Sequence, residues 1–322
     1  MQAILAVTVP FFALVLCGYL AARHRVLPEA AIPGLNAFVL YFALPCLLFR
    51  FGASTPLAQL LNPVVLMVYL ASALAIVFFT IAVTRSPRVQ MKDAAFGALV
   101  AAFPNTGFMG VPLLVALFGP LAAGPVISSM LADLFVTSSL CIALAQAHEA
   151  KGAGAGAAAI RALRGASTNP LPWAIALGAG TSAVGWQLSG PPEVIVRMLA
   201  DAATPVALFT IGAVLWRAGQ HAHTRTPASL YLPVAAIKLF VHPLLVFALC
   251  VSARALGAPL SAFEVMVLTL AAALPSASNV SLLAERYGAD NGRVARIILA
   301  TTALAFGSFS LLAWLFGVQS PG

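Results

Sequence analysis

Two short stretches of this chain place helix breakers beside neutral hydrogen-bonding side chains, both inside apolar runs. The first is Ala102-Phe103-Pro104-Asn105-Thr106-Gly107-Phe108-Met109-Gly110-Val111-Pro112. The second is Ala273-Leu274-Pro275-Ser276-Ala277-Ser278-Asn279-Val280-Ser281. Proline removes a backbone donor and clashes with the preceding turn, and glycine frees the chain to change direction. A helix broken within hydrocarbon leaves polar backbone groups unpaired, so it survives only inside protein or beside water. The half-helix that restarts after the break presents free N–H groups and a partial positive charge. Two such starts facing each other make a site for a carboxylate or a similar anion. Asn105, Thr106, Gly107, Ser276, Ser278 and Asn279 are the candidate binding residues, and Pro104 and Pro275 mark the breaks. Asn105 and Thr106 have the chemistry to cap the second half-helix. The competing reading is a pair of ordinary proline kinks, each patched by a neighbouring hydroxyl.

Ionisable residues inside apolar runs are the next candidates, because a charge in the membrane is costly and marks function by default. Asp133, Asp201 and His242 are the candidates for carrying a coupling proton, and Lys238 with His242 can attract an anion or relay a proton. Each has a plainer alternative. Asp133 can bond a neighbour such as Thr137, and Lys238 and His242, four apart on one helical face, can serve structure or snorkel. Glu193, Arg197 and Asp201 have the spacing of a mutually paired helix end. Asn36 can face the site, and Glu264 opens its span near the surface. His221 and His223 are too few for a metal site. Cys17, Cys46, Cys141 and Cys250 lie in apolar runs without metal-ligand spacing and read as small hydrophobes.

The elements that position these residues follow from composition. Of 322 residues, 61% are hydrophobic and 8% charged, against about a quarter charged in an ordinary soluble domain. Mean hydropathy is +1.00. These values exclude a soluble enzyme, a disordered chain and a secreted disulfide scaffold. Ten apolar segments, at about 20 residues per membrane helix, run over 2–22, 32–51, 62–84, 91–118, 122–148, 168–187, 193–217, 228–253, 261–285 and 292–318. They leave no room for a separate soluble domain. The first segment lacks a basic start and a cleavage signature, so it reads as a helix rather than a signal peptide.

The net charge of +8 is distributed by loop. Thirteen Lys and Arg lie in or beside the odd-numbered loops and three beside the even ones, Arg50, Arg197 and Arg254. That bias puts the odd loops in the cytoplasm and both termini outside. It accounts for the basic charge without nucleic acid. The Gly/Ala-rich stretch 149–167 reads as a cytoplasmic linker between a first half, 1–148, and a second, 168–322. The halves echo each other. Ala43-Leu44-Pro45-Cys46-Leu47-Leu48-Phe49 aligns with Ala203-Thr204-Pro205-Val206-Ala207-Leu208-Phe209 at an offset of 160, shared by Pro10 and Pro170. Pro63 and Pro233 are 170 apart, and Pro104 and Pro275 are 171 apart. Five spans per half is an odd number, so the second half is inverted, as in secondary transporters with broken helices. The expected fold class is an all-α polytopic membrane protein of ten helices in two inverted five-helix repeats, with helices four and nine broken and crossing.

Phe103-Pro104-Asn105-Thr106-Gly107-Phe108-Met109-Gly110-Val111-Pro112-Leu113 resembles the Asn-Thr-Gly-Phe-(Leu/Met)-Gly-x-Pro-Leu motif of the auxin efflux carrier family. The resemblance extends along the whole chain, and the short central linker is similar to that of the bacterial members, among them malonate transporters. It implies a crossover at Pro104 and Pro275, a homodimer in the bacterial inner membrane, and alternating access of a transport domain against a scaffold domain. Asn105 matches the motif directly. Asn279 follows its proline by four residues instead of one, so its role is less closely matched.

The function expected from these residues is a secondary transporter of small organic anions, carboxylates such as malonate or auxin-like acids, seated among membrane lipids. Coupling to protons, coupling to Na⁺ held by backbone carbonyls at the breaks, and passive uniport all remain open. No Walker motif or dinucleotide fingerprint is present, so neither ATP nor another cofactor is expected. A channel-like or ligand-sensing protein is the alternative class. An intramembrane enzyme would need clustered acids or a nucleophile–base pair at one depth, which the dispersed Asp and Glu residues do not supply.

Overall fold

The computed structural model describes residues 2–60, 62–147, 160, 164, 167–220 and 226–318. Most of the linker 149–167, together with His221, His223 and Arg225, lies outside the described residues. Among the described residues the chain is all-helical, and twelve helices account for the apolar segments. They are α1 (Gln2–Arg23), α2 (Glu29–Ser54), α3 (Pro63–Thr84), α4 (Met91–Ala102), α5 (Thr106–Phe118), α6 (Pro120–Gln146), α7 (Pro170–Ala183), α8 (Pro191–Gln220), α9 (Ala228–Ala255), α10 (Ala262–Ala272), α11 (Val280–Arg286) and α12 (Asn291–Leu315). The helices at α1, α2, α3, α6, α8, α9 and α12 are long and apolar enough to cross a membrane. The protein is a multi-pass membrane protein. The segments expected at 91–118 and 261–285 are each split, into α4 with α5 and α10 with α11.

Local chemistry sets the helix starts. Asn62 caps α3 by accepting from the N–H groups of Val64 and Val65, and Pro63 takes the first position, where no N–H is required. Asn169 and Pro170 repeat the device on α7. Ser261 and Glu264 form a capping box on α10. Three widened π-type turns, Val39–Ala43 in α2, Thr106–Gly110 in α5 and Ile237–Val241 in α9, are each followed at the second position by a proline: Pro45, Pro112 and Pro243. The wider turn moves away the carbonyl that the proline ring would strike. A fourth, Asp133–Thr137 in α6, has no such proline.

Two helix crossings are made by glycine. α1 packs on α8, where a Cβ on Gly18 would strike the carbonyl of Phe209 and one on Gly212 the carbonyl of Val15. α2 packs on α7, where a Cβ on Gly178 would strike the carbonyl of Phe49 and one on Gly52 would lie 2.7 Å from that of Ile175. Small residues let backbones approach this closely, which is how helices associate without a hydrophobic drive between them. Gly18 and Gly178 are 160 positions apart, as are Gly52 and Gly212. That is the offset of the proline echo.

The interior is built around the broken helices. Every residue from Ala94 to Ala102 of α4 is buried, and so is the run Val267–Ala272 of α10. Alanine-rich faces allow α4 to be enclosed by α3, α6, α9 and α12.

Candidate functional site

The two breaks meet. α4 stops at Ala102 and α5 begins at Thr106; α10 stops at Ala272 and α11 begins at Val280. The extended segments between them run antiparallel. Asn105 N–H donates to the Pro275 carbonyl at 2.8 Å, and Ala277 N–H donates to the Phe103 carbonyl at 3.0 Å, with Pro104 opposite Ser276. Ser276 adds two more ties. Its hydroxyl donates to the Val100 carbonyl of α4 at 2.6 Å, and its N–H donates to Thr301 Oγ1 of α12 at 3.2 Å. Much of the polar backbone exposed by each break is therefore satisfied by the other break, without lipid-facing loops.

The half-helix starts differ from the sequence expectation in two respects. Asn105 does not cap α5 with its side chain. Its carbonyl instead accepts from both Met109 N–H at 3.1 Å and Gly110 N–H at 2.9 Å, which draws the first turn of α5 into the wide form. The Thr106 hydroxyl is buried without a partner. Thr106 N–H bonds to the Pro104 carbonyl at 2.8 Å. At α11, Val280 and Ser281 donate their N–H groups to the carbonyls of Ala277 and Ser278, at 3.3 and 3.4 Å, and Asn279 makes no capping bond. Both of those donors are thus engaged within their own turn. Thr106 and Ser276 are fully buried, Asn105 and Ser278 nearly so, and Gly107 and Asn279 are partly exposed. Gly110 packs closely against the opposite break, where a Cβ would lie 2.7 Å from Leu274 Cδ1 and push that side chain aside.

Asp133, Lys238 and His242 come from separate parts of the sequence and form one buried cluster. Asp133 accepts from Tyr69 Oη at 2.7 Å and from Thr137 Oγ1 at 3.0 Å. Lys238 Nζ lies 3.3 Å from His242 Nδ1 and donates to the Ala272 carbonyl at 2.6 Å. The Asp133 and Lys238 groups are joined where the Tyr69 and His242 rings lie 6.1 Å apart. All five side chains are fully buried. Ala272 is the last residue of α10, so the ammonium group sits on a carbonyl left open by the helix break, where the helix dipole favours a cation. This bond links the cluster to the crossing. Sequence reasoning named Asp133, Thr137, Lys238 and His242 but missed Tyr69. Its signal was a phenol inside an apolar span, which needs a partner when buried.

Asp201 is not part of this cluster. It is exposed on α8 and pairs with Arg50 of α2 at 3.1 Å, not with Arg197. Arg293, counted among the loop charges, is buried in the first turn of α12. Its guanidinium donates to the carbonyls of Leu230 and Asp93 at 2.8 Å each, and Gly97 leaves it room. Glu264, besides its capping role, accepts from Asn62 Nδ2 at 3.0 Å. The four cysteines are free thiols.

A cavity of about 410 Å³ opens between α2 and α8 on one wall and α11 and α12 on the other. Asn36, Arg217, Ser281, Glu285 and Asn291 supply its polar lining. Ser281 bonds to the Ser278 carbonyl through its hydroxyl at 3.0 Å, which places the cavity one turn from the crossing.

A family described as membrane transport protein matches residues 3–315. A protein of Rhizobium meliloti (strain 1021) named "Putative malonate transporter" is 28% identical, over 98% of this chain and 96% of its own. "Uncharacterized transporter YfdV" of Escherichia coli (strain K12) is 24% identical over 92% of each chain.

Proposed function

The chain belongs to the membrane transport protein family, and from that premise we propose that it is a secondary carrier moving small organic anions, carboxylates such as malonate, by alternating access. The observation that carries this reading is the crossing of two broken helices, each bonded to the other at Asn105 and Ala277. The residues beside it, Asn105, Thr106, Gly107, Ser276, Ser278 and Asn279, are neutral. They can hold an anion through polar groups without a permanent counter-charge, so release stays easy. The Rhizobium relative's name supports malonate as the first compound to try.

Two five-helix halves, 1–148 and 168–322, related by inversion, account for the matched glycine crossings. In this reading α1, α2, α7 and α8 are the scaffold, the remaining helices move against it, and two copies associate through the scaffold. Both termini are periplasmic, which makes the 410 Å³ cavity cytoplasmic. The Asp133–Lys238–His242 cluster is the candidate for coupling: Lys238 is bonded to the carbonyl that ends α10, so a change of charge in the cluster reaches the crossing. Asp201 is the weaker candidate, being exposed and paired elsewhere.

Counterflow of radiolabelled malonate in proteoliposomes tests the reading without assuming a coupling ion. Wild type is expected to show saturable exchange, and Asn105→Ala to lose at least about tenfold of it while remaining folded and inserted. Undiminished exchange by a folded Asn105→Ala protein would remove the crossing as the site. Exchange that never saturates would point to a channel.

A further inference from the structure

The carbonyls that end α10 are not served alike. Those of Thr269, Leu270 and Ala271 accept from the chain that follows: Ala273 N–H donates to the first two, at 3.1 and 3.2 Å, and Leu274 N–H to the third at 3.3 Å. The Ala272 carbonyl has its partner on another helix. Among the described residues only Lys238 Nζ of α9 donates to it, at 2.6 Å. Pro275, next along the break, has no N–H to offer. Lys238 Nζ also lies 3.3 Å from His242 Nδ1. An ammonium group only donates, so the ring nitrogen facing it is the acceptor and the ring hydrogen is on Nε2. His242 Nε2 is buried without a partner. The ring thus leaves its own donor unsatisfied while its acceptor serves the amine. Two acceptors from two helices converge on one primary amine, and Ala272, Lys238 and His242 are all fully buried. The first break has nothing equivalent. At the separation of Pro104 and Pro275, the position corresponding to Lys238 is Met67, which is exposed on α3. The end of α4 is served instead by Ser276, whose hydroxyl donates to the Val100 carbonyl.

We propose that the end of α10 is a binding site for a primary ammonium ion, which this chain fills with its own Lys238, and that filling it sets the affinity of the crossing for its anion. The proposal rests on the carrier reading for that anion. It makes Lys238 a positioning residue, acting through the break. Ser276, a few residues beyond Ala272, is held by the Val100 carbonyl and by Thr301. With Lys238 in place, the second break is thus tied down on both sides of Pro275. Without the amine the Ala272 carbonyl has no donor, and a buried carbonyl without one is costly, so the segment between Ala272 and Ser276 turns to find a partner. That turn carries with it the Pro275 carbonyl that accepts from Asn105. The chemistry of the site is one that a free ligand can supply. Cutting Lys238 back to alanine removes a propyl chain and its amine, which is the composition of n-propylamine.

Lys238→Ala and Lys238→Met in the purified full chain test this with n-propylamine as the probe, at fixed pH and ionic strength. Thermal unfolding reads the site itself. Propylamine is expected to raise the midpoint of Lys238→Ala saturably, by about 3 °C at about ten times its dissociation constant, and to leave wild type unmoved. Lys238→Met, whose side chain fills the space without an N–H, is expected to show no response. Tetramethylammonium, a cation without N–H groups, is expected to stabilise none of the three. Malonate counterflow reads the link to the crossing. Both variants are expected to raise the KM for exchange at least about tenfold, the equivalent of one charge-assisted hydrogen bond, with propylamine restoring Lys238→Ala alone. No stabilisation of Lys238→Ala by propylamine, or equal stabilisation of Lys238→Met or by tetramethylammonium, would overturn the ammonium site. Lys238→Met keeps the reach of the side chain and reads the same role should Lys238→Ala not fold: an unchanged KM there would overturn the link to anion affinity. Stabilisation of Lys238→Ala by propylamine with no counterflow by wild type would instead overturn the carrier reading and leave the ammonium site standing.

Discussion

Replacing Lys238 by Met while Asp133 is retained removes one ionisable group from a fully buried cluster. The ammonium group gives up a 2.6 Å charge-assisted bond to the Ala272 carbonyl, worth about 1.5–3 kcal/mol. Asp133 keeps its bonds from Tyr69 and Thr137 but loses its opposite charge. Where the remaining carboxyl is left charged and uncompensated, the cost rises to roughly 3–5 kcal/mol. Asp133→Asn strands the charge of Lys238 instead. Its cost falls at the lower end of that range, since the bond to Ala272 survives. The double variant Asp133→Asn/Lys238→Met removes both of these ionisable groups from the cluster and loses chiefly the Ala272 bond, about 1.5–3 kcal/mol. It is expected to be more stable than Lys238→Met alone. Denaturant unfolding of the purified protein in mixed micelles, run as a double-mutant cycle, reads the difference. A double variant whose loss equals the sum of the single losses would refute the claim that these two residues act as a pair. A functional arm uses the same variants. If the pair carries the coupling charge, the double variant retains counterflow and loses accumulation driven by an ion gradient.

Gly212→Ala places a Cβ against the Val15 carbonyl at the α1–α8 crossing and is expected to destabilise the fold by about 1–3 kcal/mol, whereas Gly34→Ala, in a helix with open space around it, is expected to raise thermal stability by up to about 1 kcal/mol. Thermal unfolding of the two purified variants checks the contrast. Asp201→Asn breaks an exposed ion pair with Arg50, so it should alter stability by less than about 1 kcal/mol and leave gradient-driven uptake intact. Lost uptake in that variant would return Asp201 to the coupling site.

The membrane class, the positions of the seven long apolar helices and the two breaks were legible in the sequence, because they depend on local properties. Hydropathy over about 20 residues marks a span, and proline with small polar neighbours marks a break wherever it stands. The ends of α1, α3 and α9 fall within two residues of the segments read from hydropathy. The motif around Asn105 pointed to the family. Asp133 was visible alone, and Lys238 and His242 as a pair four apart on one face, all as ionisable residues at unusual depth.

Their assembly was not legible, because it depends on which helices become neighbours. Tyr69 meets Asp133 across 64 positions, and Lys238 meets Ala272 across 34. No local pattern encodes either distance. The sequence likewise suggested that Asn105 would cap its half-helix with its side chain. The structure satisfies the crossing through the backbone of the opposite break instead, leaving the Asn105 carbonyl to close the first turn of α5. Arg293 looked like a loop charge until packing against Leu230, Asp93 and Gly97 buried it. Sequence determined what each residue has to satisfy: an apolar surface, an open backbone group, a buried charge. Tertiary structure decided who satisfies it, because in hydrocarbon every such demand must be met by another part of the same protein, and only the packing of the helices brings that part within reach.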